Sequence, residues 1–160
     1  KAPEDKACHA YLNRNTKRTS TMFLPGGVAY IYLCYGIHHL FNVVTGPEGA
    51  AHAVLIRAVE PLTGLDTMLQ RRGFEKLKPQ LSAGPGVMSK ALGIEKQYDA
   101  ISLTEPAGLI RIADAPLLTA SEIIASPRVG IDYAEECVDW PRRFYQRDSK
   151  WVSKTRKKKS

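Results

Sequence analysis

Between the turn signals Pro25-Gly26-Gly27 and Gly46-Pro47-Glu48-Gly49 the chain has room for one local structure. Residues 28–35 and 38–45 are two runs rich in β-branched and aromatic side chains, and such residues favour strands. Little more than Gly36-Ile37 separates them. A connection that short makes a hairpin, and Gly36 supplies the positive φ that tight hairpin turns require. Tyr35 is then expected at the hairpin tip, with Tyr30 and Tyr32 on one strand face, because alternate strand residues point the same way. A third apolar run at residues 53–59 extends the pair to an antiparallel meander.

Helical signals follow the meander. Leu62, Leu65, Met68 and Leu69 fall at helical spacing after Pro61, which predicts a helix over residues 62–72. A second helix should start near Pro85, carry Val87, Met88, Ala91 and Leu92, and stop at Gly93. Thr119-Ala120-Ser121-Glu122 has the form of a capping box and predicts a helix over 121–125. Residues 109–112, 128–131 and 143–147 look like short strands. Strands in blocks rather than in alternation with helices indicate an α+β fold. With 160 residues and no repeat or linker, the expectation is a single domain over residues 1–153 and a basic, disordered tail at 154–160.

Composition narrows the function. Lys and Arg number 23 against 16 Asp and Glu, a net charge of +7, which favours a polyanionic partner. Lys150, Lys154, Arg156, Lys157, Lys158 and Lys159 contribute much of that excess. The longest apolar stretch is broken by Gly36, His38, His39 and Asn42, too polar for a membrane-spanning helix, and no signal-peptide pattern opens the chain. An intracellular protein is expected, cytoplasmic in a bacterium and nuclear in a eukaryote. Cys8, Cys34 and Cys137 are odd in number and widely spaced, so free thiols are expected. The dinucleotide-binding, phosphate-loop, nucleophile-elbow and zinc-deaminase motifs are all missing, and no metal or cofactor is expected. From spacing alone the tyrosines are either core residues or a platform for stacking bases.

Ordered blocks carry a resemblance over nearly the whole chain. Pro3-Glu4-Asp5-x-Ala7-x-His9, Thr16-x-Arg18 with Met22-Phe23, Tyr30-x-Tyr32, Tyr35-Gly36 and Asn42 form the first half. Leu55-Ile56-Arg57-Ala58-x-Glu60-Pro61, Gly84-Pro85, Arg128-Val129-Gly130-Ile131, Arg143-Phe144-Tyr145 and Ser149-x-Trp151-Val152-Ser153 form the second. Together they resemble the alkyladenine (3-methyladenine) DNA glycosylase family.

That resemblance implies a mixed α+β domain around a curved antiparallel sheet. It also implies a monomeric, monofunctional enzyme that flips alkylated or deaminated purines out of double-stranded DNA and hydrolyses their N-glycosidic bond. By match to the family motifs, Tyr35 is the wedge that fills the vacated stack, and His9, Tyr32 and Asn42 form the base pocket. Arg57 and the main-chain carbonyl of Val129 hold the attacking water, while Arg14, Thr16 and Arg18 face the DNA backbone. The family's water-activating glutamate belongs to a Glu-Ala-Tyr segment that matches upstream of Lys1. Val87 stands where the family often has a backbone-contacting Lys. Two rival readings are a non-catalytic lesion-binding protein of the same fold and an RNA-binding module that stacks bases on tyrosines.

Overall fold

The expected hairpin is the centre of the structure, a computed structural model that describes residues 1–153. The tail expected at 154–160 lies outside the described residues. β1 (Ala29–Cys34) pairs antiparallel with β2 (His38–Val44), in a register that sets Tyr30 opposite Asn42 and Tyr32 opposite Leu40. β3 (Ala53–Leu55) adds to the far edge of β2, giving the order β1-β2-β3.

Strand alternation divides the side chains between two layers. Tyr30 and Val44 join Ala2, Ala10, Met22 and Ala51 on one side of the sheet, with Tyr32 packed against them. Ala29, Ile31 and Phe41 meet Met88, Ile94 and Leu103 on the other. The second side is covered by α2 (Pro85–Leu92), whose Ala91 packs in turn with Met68 of α1 (Leu65–Arg72), Leu81 and Trp151. Proline at its first position suits a helix start, and α2 ends as expected at Gly93, which has a φ of 72°. A Cβ on Gly86 would stand 2.7 Å from the Cγ of His38, so only glycine lets the first turn of α2 lie this close to the hairpin.

β1 is an edge strand: at Ala29 its edge bonds to the backbone of Ala100 and Ile101, and at Ile31 side chains close it. The Ile31 amide donates to Asp99 Oδ1 at 2.7 Å, and Lys96 Nζ donates to the Ile31 carbonyl at 2.8 Å. Lys96 and Asp99 are themselves paired at 2.6 Å, and Thr21 Oγ1 donates to the same carboxylate at 3.0 Å. This bracket occupies the groups through which an open edge would recruit another strand, and it holds β1 where it carries the tyrosines.

The α+β expectation holds, with changes in its later elements. A separate two-stranded sheet forms from β4 (Ile123–Ser126) and β5 (Arg143–Gln146). The helix expected at 121–125 is therefore a single 3-10 turn, Ala120–Glu122, followed by a strand. The Glu122 carboxylate does accept from the Thr119 amide and hydroxyl, but pairing with β5 determines the conformation of Ile123 and Ile124. Residues 109–112 form no strand, because no segment pairs with them beyond the Ile112 amide bond to Leu103. Residues 128–131 are loop rather than strand, since Gly130 turns at φ 78° and Arg128 is drawn inward by Asp5. The run at 53–59 leaves β2 after the Ile56 amide bond to the Phe41 carbonyl, and Ala58 bridges to Ala83 instead. α1 starts at Leu65 rather than at 62, after Gly64 at φ 69°, and leaves Leu62 exposed. All three cysteines are free thiols.

Candidate functional site

Three aromatic rings meet where β1 faces the N-terminal segment. His9 stacks edge-on to Tyr32 with centroids 4.5 Å apart, and the Tyr30 ring lies 5.5 Å from that of Tyr32. Tyr30, which is fully buried, has its hydroxyl 3.0 Å from His9 Nδ1. With the Tyr30 hydroxyl as donor, the imidazole proton sits on Nε2. Burial, aided by the Arg18 cation, holds the His9 imidazole down at about 4, so it is neutral near pH 7. Burial also pushes the Tyr32 phenol up to about 12 and raises that of Tyr30, so both keep their protons. The Arg18 guanidinium lies 5.3 Å from the Tyr32 ring centroid, on the solvent side of this cluster.

Asn42 joins the same sheet face through its register with Tyr30. Its Nδ2 donates to the Tyr30 carbonyl at 3.0 Å and to the Leu40 carbonyl at 3.2 Å. Both amide protons are thus spent on the strands, which fixes the side-chain orientation and leaves Oδ1 to any incoming group.

The hairpin's far end is built to protrude. Tyr35 and Gly36 have φ of 51° and 71°, and the Ile37 amide closes the turn on the Cys34 carbonyl at 3.2 Å. Positive φ at a bulky residue is strained. Here it projects Tyr35, 91% exposed, beyond the sheet with Ile37 and Leu33 also exposed. The tip and the aromatic cluster therefore share one hairpin, Tyr32 and Tyr35 being three residues apart.

Arg57 lies just past β3 and is half-buried. Its Nε is buried without a hydrogen-bond partner, a costly state that an incoming acceptor would relieve. Burial and then the nearby Arg143 cation lower its pKa, while Tyr32 opposes them; no carboxylate is among these groups. Val129 sits in the exposed loop before Gly130. The two N-terminal carboxylates are differently placed. Asp5 is buried and takes a bidentate bond from Arg128, 2.8 Å on each arm, plus one from Arg142 at 2.9 Å. Desolvation alone would raise the Asp5 pKa, but the Arg128 bond and the Ala7 amide outweigh it, and the group stays ionised. A carboxylate saturated in this way is a poor proton acceptor. Glu4 is exposed and pairs with Lys1 at 3.7 Å.

Comparison with known proteins decides what this arrangement belongs to. The methylpurine-DNA glycosylase family model matches residues 1–150. A protein of Chlamydia felis named "Putative 3-methyladenine DNA glycosylase" is 49% identical over 145 residues, covering 90% of this chain and 73% of its own length. Proteins with the same name from Natranaerobius thermophilus and Bacillus mycoides are each 44% identical, over 94% and 96% of this chain and 76% and 79% of their own. The chain belongs to the methylpurine-DNA glycosylase family. It is a DNA glycosylase, a DNA-repair enzyme whose substrate is DNA.

Within this glycosylase the structure brings His9, Tyr32 and Asn42 onto one side of the sheet and sets Tyr35 at its tip, while Arg57 acts electrostatically on Tyr32. Arg14 and Thr16 lie on the exposed segment before the 3-10 turn Ser20–Phe23. The Thr16 hydroxyl is 3.1 Å from that of Thr19, which donates to the Arg14 carbonyl at 2.9 Å, so this loop is shaped by its own hydroxyls. Tyr30, the hydrogen-bond partner of His9, belongs to the Tyr30-x-Tyr32 block but is given no site role by the resemblance. Its signal is its position two residues before Tyr32 on the same face. A cleft of about 520 Å³ lies elsewhere, between Ile37, His38 and the ends of α1 and α2. On its wall Arg71 donates to the Ala91 carbonyl and ties α1 to α2, while Arg72 donates to the Leu81 carbonyl. No helix is long and apolar enough to cross a membrane among the described residues.

Proposed function

We propose that this protein is a monofunctional glycosylase that flips alkylated or deaminated purines, 3-methyladenine and hypoxanthine among them, out of duplex DNA and hydrolyses their N-glycosidic bond with water. The observation that carries the reading is the junction of a neutral, half-buried aromatic cluster, His9 with Tyr32, and a fully projecting Tyr35 on one braced hairpin.

Flipping costs a few kcal/mol, and an inserted side chain offsets part of that by occupying the gap in the stack. Tyr35 serves as that wedge. The extruded base then stacks on Tyr32 and His9. A purine alkylated at N3 or N7 is cationic, and aromatic faces favour it over a neutral base by roughly 0.5–2 kcal/mol. Asn42, its side chain held fixed by the strands, presents its edge to the purine and disfavours the exocyclic amine of normal guanine by leaving it no room. The unpartnered Arg57 Nε and the Val129 carbonyl hold the attacking water. Arg14, Thr16 and Arg18 steer the DNA backbone.

Glycosidic cleavage passes through an oxocarbenium-like state, so a carboxylate beside the water would act both as base and as counter-charge. Asp5 is locked in its arginine clamp and Glu4 faces solvent, so the reading assigns that role to a glutamate upstream of Lys1. The relatives quoted above are longer than this chain, which covers 73–79% of them. The protein works as a monomer on genomic DNA inside the cell and needs no metal or cofactor.

A single-turnover assay of the full-length gene product on hypoxanthine- and 3-methyladenine-containing duplexes tests this. Release of the free base, with no strand-linked Schiff-base adduct on borohydride treatment, is expected. Tight, lesion-selective binding without release would favour a non-catalytic damage-binding protein.

A further inference from the structure

Asp5 touches none of the residues assigned above to base, wedge or water, yet its bonds reach the segments that carry two of them, His9 and Val129, and a third segment next to the cation that flanks Arg57. Its Oδ1 accepts from the Ala7 amide at 3.0 Å and from Arg128 Nη2 at 2.8 Å. Its Oδ2 accepts from Arg128 Nη1 at 2.8 Å and from Arg142 Nη1 at 2.9 Å. Ala7 is part of the turn, closed by the Cys8 amide on the Asp5 carbonyl at 2.8 Å, that delivers His9. Arg128 immediately precedes Val129 in the chain. Arg142 immediately precedes Arg143, the cation that flanks Arg57.

We propose that Asp5 is a positioning residue for the glycosylase reaction: its carboxylate locks the Arg128–Val129 loop and the entry to β5 against the His9 segment, and so sets the geometry of the water site relative to the base pocket. The proposal rests on the glycosylase reading above. The loop at 128–131 has no strand partner to fix it, so the arginine fork is its main restraint. Arg128 Nη2 adds a bond to the Cys137 carbonyl at 3.3 Å, tying the same point to the 3-10 turn Glu135–Cys137. A bidentate fork fixes both distance and plane, which a single charge contact does not. The carboxylate at the centre of the clamp is buried, Asp5 being 1% exposed, so its oxygens are shielded from water. Small misplacements of a reacting water reduce rate far more than they reduce binding.

The test uses the full-length protein and two variants, Asp5→Asn and Arg142→Gln. The second removes one arm of the clamp from a partly exposed side chain, and it reports if Asp5→Asn does not fold. Single-turnover excision of hypoxanthine at saturating enzyme and equilibrium affinity for the same duplex are measured below the melting temperature of each variant. The expected result is a fall in the excision rate constant of about 10- to 100-fold, with affinity within about threefold of wild type. A clamp that only stabilises the fold would lower the melting temperature and the reaction amplitude but leave the rate constant of the folded fraction unchanged. That result would overturn the proposal. Absence of excision by the wild-type protein would instead refute the glycosylase mechanism itself.

Discussion

The hydroxyl of Tyr30 lies 3.0 Å from Nδ1 of His9, joining β1 to the wall of the candidate base pocket. Tyr30 is fully buried and cannot move without the sheet, so this bond fixes the His9 ring as part of the scaffold. Tyr30→Phe removes only that oxygen. It should cost about 1 kcal/mol of stability, the size of a hydrogen bond lost from a half-buried partner. It should also narrow the affinity gap between lesion and undamaged duplex, because the His9 ring is no longer held. Urea unfolding and competition binding measure the two effects. Unchanged discrimination would mean that the bond serves the core alone.

The neutral His9 has a consequence for acid stability. The unfolded imidazole takes up a proton near 6.5, whereas the folded ring resists until about 4. Between those values the unfolded state binds more protons, so stability falls as pH drops through the window and rises as pH increases. The slope is bounded by one proton, about 1.4 kcal/mol per pH unit, and is smaller because part of the ring faces solvent. Asp5 acts further down: its lowered pKa contributes stability above the ordinary carboxylate range, lost as pH falls through the folded value. His9→Gln should flatten urea midpoints between pH 6.5 and 4 while leaving the steeper loss below. An unaltered profile would place the depressed group elsewhere.

Parts of this structure are legible in the sequence because the signals are local. The hairpin follows from two β-rich runs, a short connection and Gly36, and its alternation places Tyr30 and Tyr32 together. α2 follows from Pro85 and Gly93. The second sheet is not legible, because Thr119-x-x-Glu122 marks a helix start equally well and only the distant β5 turns Ile123 and Ile124 into a strand. The Asp5 clamp is invisible for the same reason, since its arginines lie 123 and 137 residues away. The motifs identify His9, Tyr32, Tyr35 and Asn42, but they do not reveal that Asn42 spends both amide protons on the backbone.

The basic run beyond residue 153 is expected to add to DNA affinity through its charge. Deletion of residues 154–160 removes five cations, Lys154, Arg156, Lys157, Lys158 and Lys159. Each phosphate contact contributes about 0.9 to the slope of log K against log salt. The deletion should flatten that slope for lesion and undamaged duplex alike and leave their ratio unchanged. A constant slope would show that these cations do not meet phosphate.

The division of labour between Tyr35 and Tyr32 is the centre of the account, and one set of equilibrium affinities tests it most directly. Tyr35→Ala and Tyr32→Ala are each measured against duplexes carrying cationic 7-methylguanine and neutral hypoxanthine, with thermal unfolding as the control for core damage. Tyr35 is almost wholly exposed, so its loss should leave the melting temperature unchanged and weaken both lesions equally, the gap in the stack being left unfilled. Tyr32→Ala should weaken the cationic lesion more than the neutral one by roughly 0.5–2 kcal/mol. Equal losses for Tyr32→Ala, or a Tyr35→Ala protein that keeps full affinity for both duplexes, would contradict the wedge-and-wall assignment.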